Sequence, residues 1–221
     1  MALPSVLEDL SWQERVFVTV EKLDDGTQVD FAARLTEIGF DNGSRDFDVE
    51  ALANGGFHRT RTAEEPTSFS GEMYVQGPQT NAGETEEDMK GIAEYFYENE
   101  GPDHDGANGV YHYTNGTLAR SKFRVTILWT NDPNVSSAVD AVASGNVAYR
   151  KVIRDANLIS YDQNFDDMDS SAEFEFKTPP RTPTADPNIG EWGCEADATS
   201  GLNALGAYAS GSNVLVDGTS A

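Results

Sequence analysis

The sequence predicts a mainly β fold, and three observations carry that prediction. Apolar and polar residues alternate at period two in several short runs. Turn dipeptides of the Asp-Gly and Asn-Gly kind separate those runs. Aromatics are plentiful, with 11 Phe, 8 Tyr and 3 Trp, which sets the chain apart from disordered acidic polypeptides. To this β core the pattern adds one flanking short helix, an inserted acidic helical excursion and an extended C-terminal arm. The expected organisation is an N-terminal arm over 1–14, a β domain over 15–180 with the acidic insertion at 77–109, and a C-terminal arm over 181–221.

The elements follow in chain order. Val16, Val18 and Val20 alternate with Phe17, Thr19 and Glu21. Asp25-Gly26 then turns the chain, and Val29, Phe31, Ala33 and Leu35 alternate in a second run, so a hairpin is expected. Asp41-Asn42-Gly43 is the next turn. A further β pair is expected between Phe57–Thr62 and Thr67–Gln76, with Pro66 confined to the link.

Between Gly77 and Gly109 the character changes. From Glu84 to Asp105 there are nine acids and one base, Lys90. Thr85 and Asp88 have capping-box spacing, and Met89, Ile92, Ala93 and Phe96 recur on one helical face. The acidic face of this helix is expected in solvent or facing an open space. β structure resumes at Val110–Tyr113 and again at Phe123, Val125, Ile127 and Trp129. Asp132-Pro133 reads as a helix start, with Val135, Ala138, Val139 and Val142 as its apolar stripe and Gly145 as its end. In a compact subunit that stripe is expected to pack on the Phe123–Trp129 face. Strands Val147–Tyr161 and Ala172–Lys177 follow, the latter with Phe174 and Phe176 on one face and Glu173 and Glu175 on the other. After Pro179-Pro180 no sustained period remains, although Ile189, Trp192, Leu202, Leu205 and Tyr208 offer apolar docking points.

Composition bounds the function. Thirty-eight acids face fifteen bases, giving a net charge of −23 and a sequence pI of about 4.2. Only five of the bases are Lys. Charge of one sign opposes compaction, and about 1 M salt removes the difficulty by shortening the screening length to roughly 3 Å. The balance predicts a protein suited to a high-salt cytoplasm. It argues against tight wrapping of nucleic acid, which needs clustered Lys and Arg. No run approaches the roughly 20 apolar residues of a membrane span, so membrane insertion is not expected. MALPSVLEDL shows no secretory pattern. A single cysteine, Cys194, excludes an internal disulfide and a multi-Cys zinc site.

Catalytic patterns are weak. His58, His104 and His112 are scattered; Asp103-His104-Asp105 with His112 reads first as a solvated acidic loop. Acid pairs such as Glu64-Glu65, Glu86-Glu87 and Asp166-Asp167 are what this composition yields anywhere. Asp162, Asp166, Asp167 and Asp169 lack the spacing of a calcium loop. Cys194 has no basic neighbour in sequence to activate it. Arg120, Lys122 and Arg124, and again Arg150, Lys151 and Arg154, are expected to pair with acids of the same fold or of another copy. No catalytic residue, metal ligand or cofactor is assigned, and an enzyme is not expected.

The block GFDNGSRDFDVEALANGGFHRTRTAEEPTSFSGEMYVQG, and within it TSFSGEMYV, resembles the major tail tube proteins of tailed viruses. The later stretch FRVTILWTNDPNVSSAVDAVASGNVAYRKVIRDANLISYDQNFDDMDSSAEFEFKTPPR is similar to their second half. With the salt-adapted composition, the nearest match is a siphovirus-type virus of haloarchaea. The resemblance covers roughly 15–180 and rests on turn and strand patterns; the acidic helix and the C-terminal tail exceed the family pattern. It implies a tail-tube-like β-sandwich or barrel with a flanking helix. It also implies six copies to a ring and rings stacked as a DNA conduit for genome delivery. Partners would be further copies, then tape measure, baseplate and terminator proteins, with viral DNA passing without tight binding. The location would be the virion tail, after synthesis in the host cytoplasm. Two competing readings are another β-rich virion surface protein, such as a capsid decoration or tail-associated protein, and a halophilic enzyme with a dispersed site.

Overall fold

The computed structural model describes residues 15–23, 26, 28–30, 35–44, 47–61, 65–74, 96, 121–164, 171–179 and 189–206. Apart from Phe96, the expected acidic insertion lies outside these residues, as do the N-terminal arm and the strand at Val110–Tyr113. The protein is mainly β. Its strands are β1 (Val16–Lys22), β2 (Gln28–Asp30), β3 (Leu35–Asp41), β4 (Phe47–Ala51), β5 (Phe57–Arg61), β6 (Thr67–Tyr74), β7 (Lys122–Thr130), β8 (Ala148–Asn164), β9 (Ser171–Thr178) and β10 (Ile189–Cys194). Eight of them form one sheet in the order β2-β1-β7-β8-β9-β6-β3, with β10 also paired to β8, and every pairing is antiparallel.

Chain connectivity curls this sheet. β2 ends at Asp30 and β3 begins at Leu35, yet they occupy opposite ends of the order. So short a link spans at most about 18 Å. The two ends therefore approach one another, and the sheet wraps into a partly closed barrel. Ile38 and Phe40 of β3 accordingly pack against a cluster that includes Val18 and Val20 of β1. Lys151 of β8 lies 3.3 Å from the centroid of the Phe40 ring and 3.0 Å from Glu191 of β10.

β8 makes the wrap possible. Its N-terminal part pairs with β7 on one edge and β10 on the other; its C-terminal part pairs with β9. The changeover lies at Asp155, whose φ of 53° and flanking register shifts mark a bulge that bends the strand. The core inside the curl is aromatic: Phe69, Phe123, Phe174, Phe176 and Tyr161 surround Phe96. Phe96 is helical and fully buried, with ring centroids of Tyr161 at 5.2 Å, Phe174 at 5.7 Å and Phe176 at 5.8 Å. A residue of the expected apolar helical face thus reaches the core.

Three expectations are corrected. The alternating run Val29–Leu35 is not one strand: β2 pairs with β1, whereas β3 pairs with β6 at the far end. Likewise β5 pairs with β4, and β6 pairs with β3 and β9. Finally, the flanking short helix after Asp132 does not form; 131–147 is a succession of turns and bends. Its polar side chains take the backbone donors that a helix would use. Asp132 accepts from the amides of Asn134 (2.9 Å) and Ala143 (3.0 Å), and Asp140 from those of Ser136 and Ser137 (2.9 Å each). The valines also land on the other side of the sheet. Val135 and Val142 pack with Phe17 and Leu128, not with Phe123, Val125, Ile127 and Trp129.

The C-terminal segment returns to this second face. β10 pairs with β8, Val142 and Leu202 exchange backbone hydrogen bonds of 2.9 and 3.0 Å, and the Leu205 amide donates to Val139 O at 2.9 Å. A side chain at Gly201 would collide with Val142 O, so this approach requires glycine. Both covering segments hang from buried arginines. Arg150 donates to the carbonyls of Ala138 (3.0 Å), Asn203 (2.5 Å) and Asp140. Arg124 donates through Nε and Nη2 to the Glu21 carboxylate and through Nη2 to Gly206 O at 2.7 Å.

Candidate functional site

The solvent face of β3, β6, β9 and β8 carries the most organised charge among the described residues. Register places Glu37 opposite Glu72, Glu72 opposite Glu173, and Glu173 opposite Asp162. Four carboxylate residues therefore form one row across four strands. The next row is Gly39, Ser70, Glu175 and Ser160. Alternation sends the intervening residues inward: Ile38 and Phe40, Phe69, Phe174 and Phe176, and Tyr161 contribute to the core. The small residues leave a groove of about 390 Å³ lined by Glu37, Glu72, Glu173 and Glu175.

Directly opposed side chains in an antiparallel pair have Cβ atoms about 5 Å apart, where like charges are destabilising. A sequence selected for stability alone would alternate the signs. Among the described residues, Lys177 shares this face and sits 3.1 Å from Glu175. The row also does not converge on a point. Among the described residues, no group of three or more His, Cys, Asp or Glu is placed to hold a metal ion. The row presents a line of carboxylate acceptors, which repels phosphate.

The 131–147 segment is pinned by two carboxylates and a buried arginine. Burial alone would raise the Asp132 carboxyl. The amides of Asn134 and Ala143 and the side chains of Asn134 and Asn146 outweigh that and hold it below the usual carboxylate range. Asp140 is held low in the same way, against burial, by Ser136, Ser137 and the Arg150 charge. Burial pulls Arg150 down to about 10, with Asp140 opposing and Arg124 adding to the fall. It remains a cation at neutral pH.

Residues weighed in the sequence fall as follows. His58 is exposed on β5. Cys194 is buried, its thiol donates to Asn146 O at 3.4 Å, and burial pushes its pKa up. Arg124 pairs with Glu21, Lys151 with Glu191, and Lys122 and Arg154 lie near Asp155, all acids of the same chain. Asp162 joins the carboxylate row. Asp166, Asp167, Asp169, Asp103, His104, Asp105, His112 and Arg120 lie outside the described residues, as do the pairs at 64–65 (in part) and 86–87. The row itself was not anticipated. The alternation of Glu173 and Glu175 was its one local sign; register, which brings Glu37 and Glu72 alongside, is not a local property.

No protein-family model and no curated protein matches the chain. Among solved structures it is similar to the sheath–tube complex, in its extended state, of the extracellular contractile injection system PVC. That match has 10% identity and a TM-score of 0.46, covering 87% of this chain and 100% of the other. A second is the tube-terminating cap of the anti-feeding prophage, with 11% identity, TM-score 0.41, and 88% and 93% covered. A third is an Hcp protein, with 10% identity, TM-score 0.32, and 81% and 99% covered. At these values the overlaps carry no assignment of function.

Among the described residues, no helix is long and apolar enough to cross a membrane.

Proposed function

We propose that this chain is a structural subunit of a viral tail tube and not an enzyme. Six copies close into a ring, rings stack, and the β3-β6-β9-β8 face lines a bore through which DNA is delivered. The observation that carries the reading is the carboxylate row of Glu37, Glu72, Glu173 and Asp162. A conduit must let phosphates pass without holding them, and opposed like charges are an expense that such a wall explains. The sequence resemblance over 15–180 supplies the ring and stack. Tape measure, baseplate and terminator proteins are the further partners, the virion tail is the location after synthesis in the host cytoplasm, and the acidic balance fits a high-salt host such as a haloarchaeon. Electron microscopy of the purified chain in about 2 M salt, where charges are screened beyond a few ångströms, tests the reading. Hollow tubes of uniform width are expected. Persistent monomers, or rings that never stack, would favour a capsid decoration or tail-associated protein instead.

A further inference from the structure

We propose that one face of the β4–β5 ribbon is a contact surface for a second copy of this chain. The proposal deepens the tube reading and rests on it for the expectation that copies assemble. β4 and β5 pair with each other as a separate two-stranded sheet. The ribbon is set up locally: the Leu52 amide donates to Gly56 O at 2.7 Å, and the Gly56 amide donates to Asn54 Oδ1 at 2.9 Å. At its base Ser44 and Glu65 are joined by hydrogen bonds, and a side chain at Gly43 (φ 73°) would strike Glu65 O. A lone two-stranded ribbon is marginal in water and gains by covering one face.

Register divides the ribbon. Phe47 lies opposite Arg61, Val49 opposite Arg59 and Ala51 opposite Phe57, so these six share a face; Asp48, Glu50, His58 and Thr60 share the other. Phe57 is 68% exposed and Val49 47%, and Leu52 at the turn is 45% exposed. Only Ile159 joins them as a large exposed apolar residue among those described. Over 47–61 Asp48 and Glu50 are balanced by Arg59 and Arg61, within a chain of net charge −23. The ribbon is therefore a place where two copies can meet without like-charge repulsion.

Charge complementarity selects the occupant. An apolar face that also carries Arg59 and Arg61 fits an apolar surface edged by carboxylates, and with thirty-eight acids every further copy carries carboxylate-rich surface. Nucleic acid is a poor fit, since Arg59 and Arg61 are matched within the ribbon by Asp48 and Glu50 and the chain carries a net charge of −23. A contact anchored on Phe57 and Val49 holds in concentrated salt, where repulsion between copies is screened.

Sedimentation velocity in about 2 M salt of the native chain, Phe57→Ser, Arg59→Glu and the control Ile159→Ser tests this, with circular dichroism and thermal unfolding on each. The native chain and the control should assemble. The two ribbon variants should fold as the native chain does and need about tenfold more protein to assemble. A photo-cross-linker at Leu52, which leaves Phe57 and Arg59 intact, should give chain-to-chain adducts. A folded Phe57→Ser that assembles like the native chain, or assembled material without such adducts, overturns the ribbon contact and leaves the tube reading standing. A native chain that stays monomeric overturns both. Adducts in purified virions only with a different protein would reassign the surface to that partner.

Discussion

Arg150 and Arg124 each join a strand to segments distant in sequence. Arg150 is fully buried and spends its donors on carbonyls of both covering segments, so its removal releases two loops at once. Arg124 is neutralised by Glu21 beside it. Removing one partner of a buried pair leaves a charge stranded, which costs about 3–5 kcal/mol, whereas replacing both by apolar residues is often near neutral. Glu21→Gln is therefore expected to lose about that much stability in urea unfolding at constant high salt, and Glu21→Leu with Arg124→Met to recover most of it. A single variant as stable as the native chain would contradict the role. The Asp132 and Asp140 carboxyls, both held low, give a pH signature. A carboxyl lowered on folding stabilises above its unfolded value of about 4 and loses that contribution as pH falls through the folded value. Tryptophan fluorescence should show unfolding shift to weaker denaturant below about pH 4, and Asp132→Asn should flatten that fall while lowering stability at neutral pH.

At the scale of elements, most strands were legible, β4 and β10 were not, and strand partnership was largely hidden. β1, β7 and β9 follow directly from period-two runs, because each has one face on the aromatic core. The run Val29–Leu35 keeps its alternation across the break between β2 and β3, so pattern alone could not reveal that the chain changes ends of the sheet. The turns after Asp132 imitate a capped helix because Asp, Ser and Asn serve both structures. Spacing placed Phe96 on an expected apolar helical face, and its destination in the aromatic core was not readable. Phe96→Ala is expected to cost about 3–5 kcal/mol by emptying a fully buried site, measured by denaturant midpoint; a loss below about 1 kcal/mol would place that ring outside the stabilising core. The carboxylate row has its own test. Glu173 opposes both Glu72 and Asp162, so Glu173→Gln removes two like-charge pairs worth about 0.2–1 kcal/mol each. It should stabilise the fold in dilute buffer and do so far less in about 2 M salt. Equal effects in both would mean the row is not a site of repulsion.

For the whole molecule, a barrel with a solvated acidic wall goes together with a net charge of −23. The β class was legible because its strands alternate locally around the aromatic core. The candidate site was mostly hidden, because it exists only once four strands are in register. Its proposed use, an acidic bore, is tested most directly by a helical cryo-EM reconstruction of particles assembled from the purified chain in about 2 M salt. The account predicts stacked rings of six, with Glu37, Glu72, Glu173 and Asp162 facing the central channel. A reconstruction in which that row faces outward, or is buried between subunits while neutral or basic residues line the channel, would contradict it.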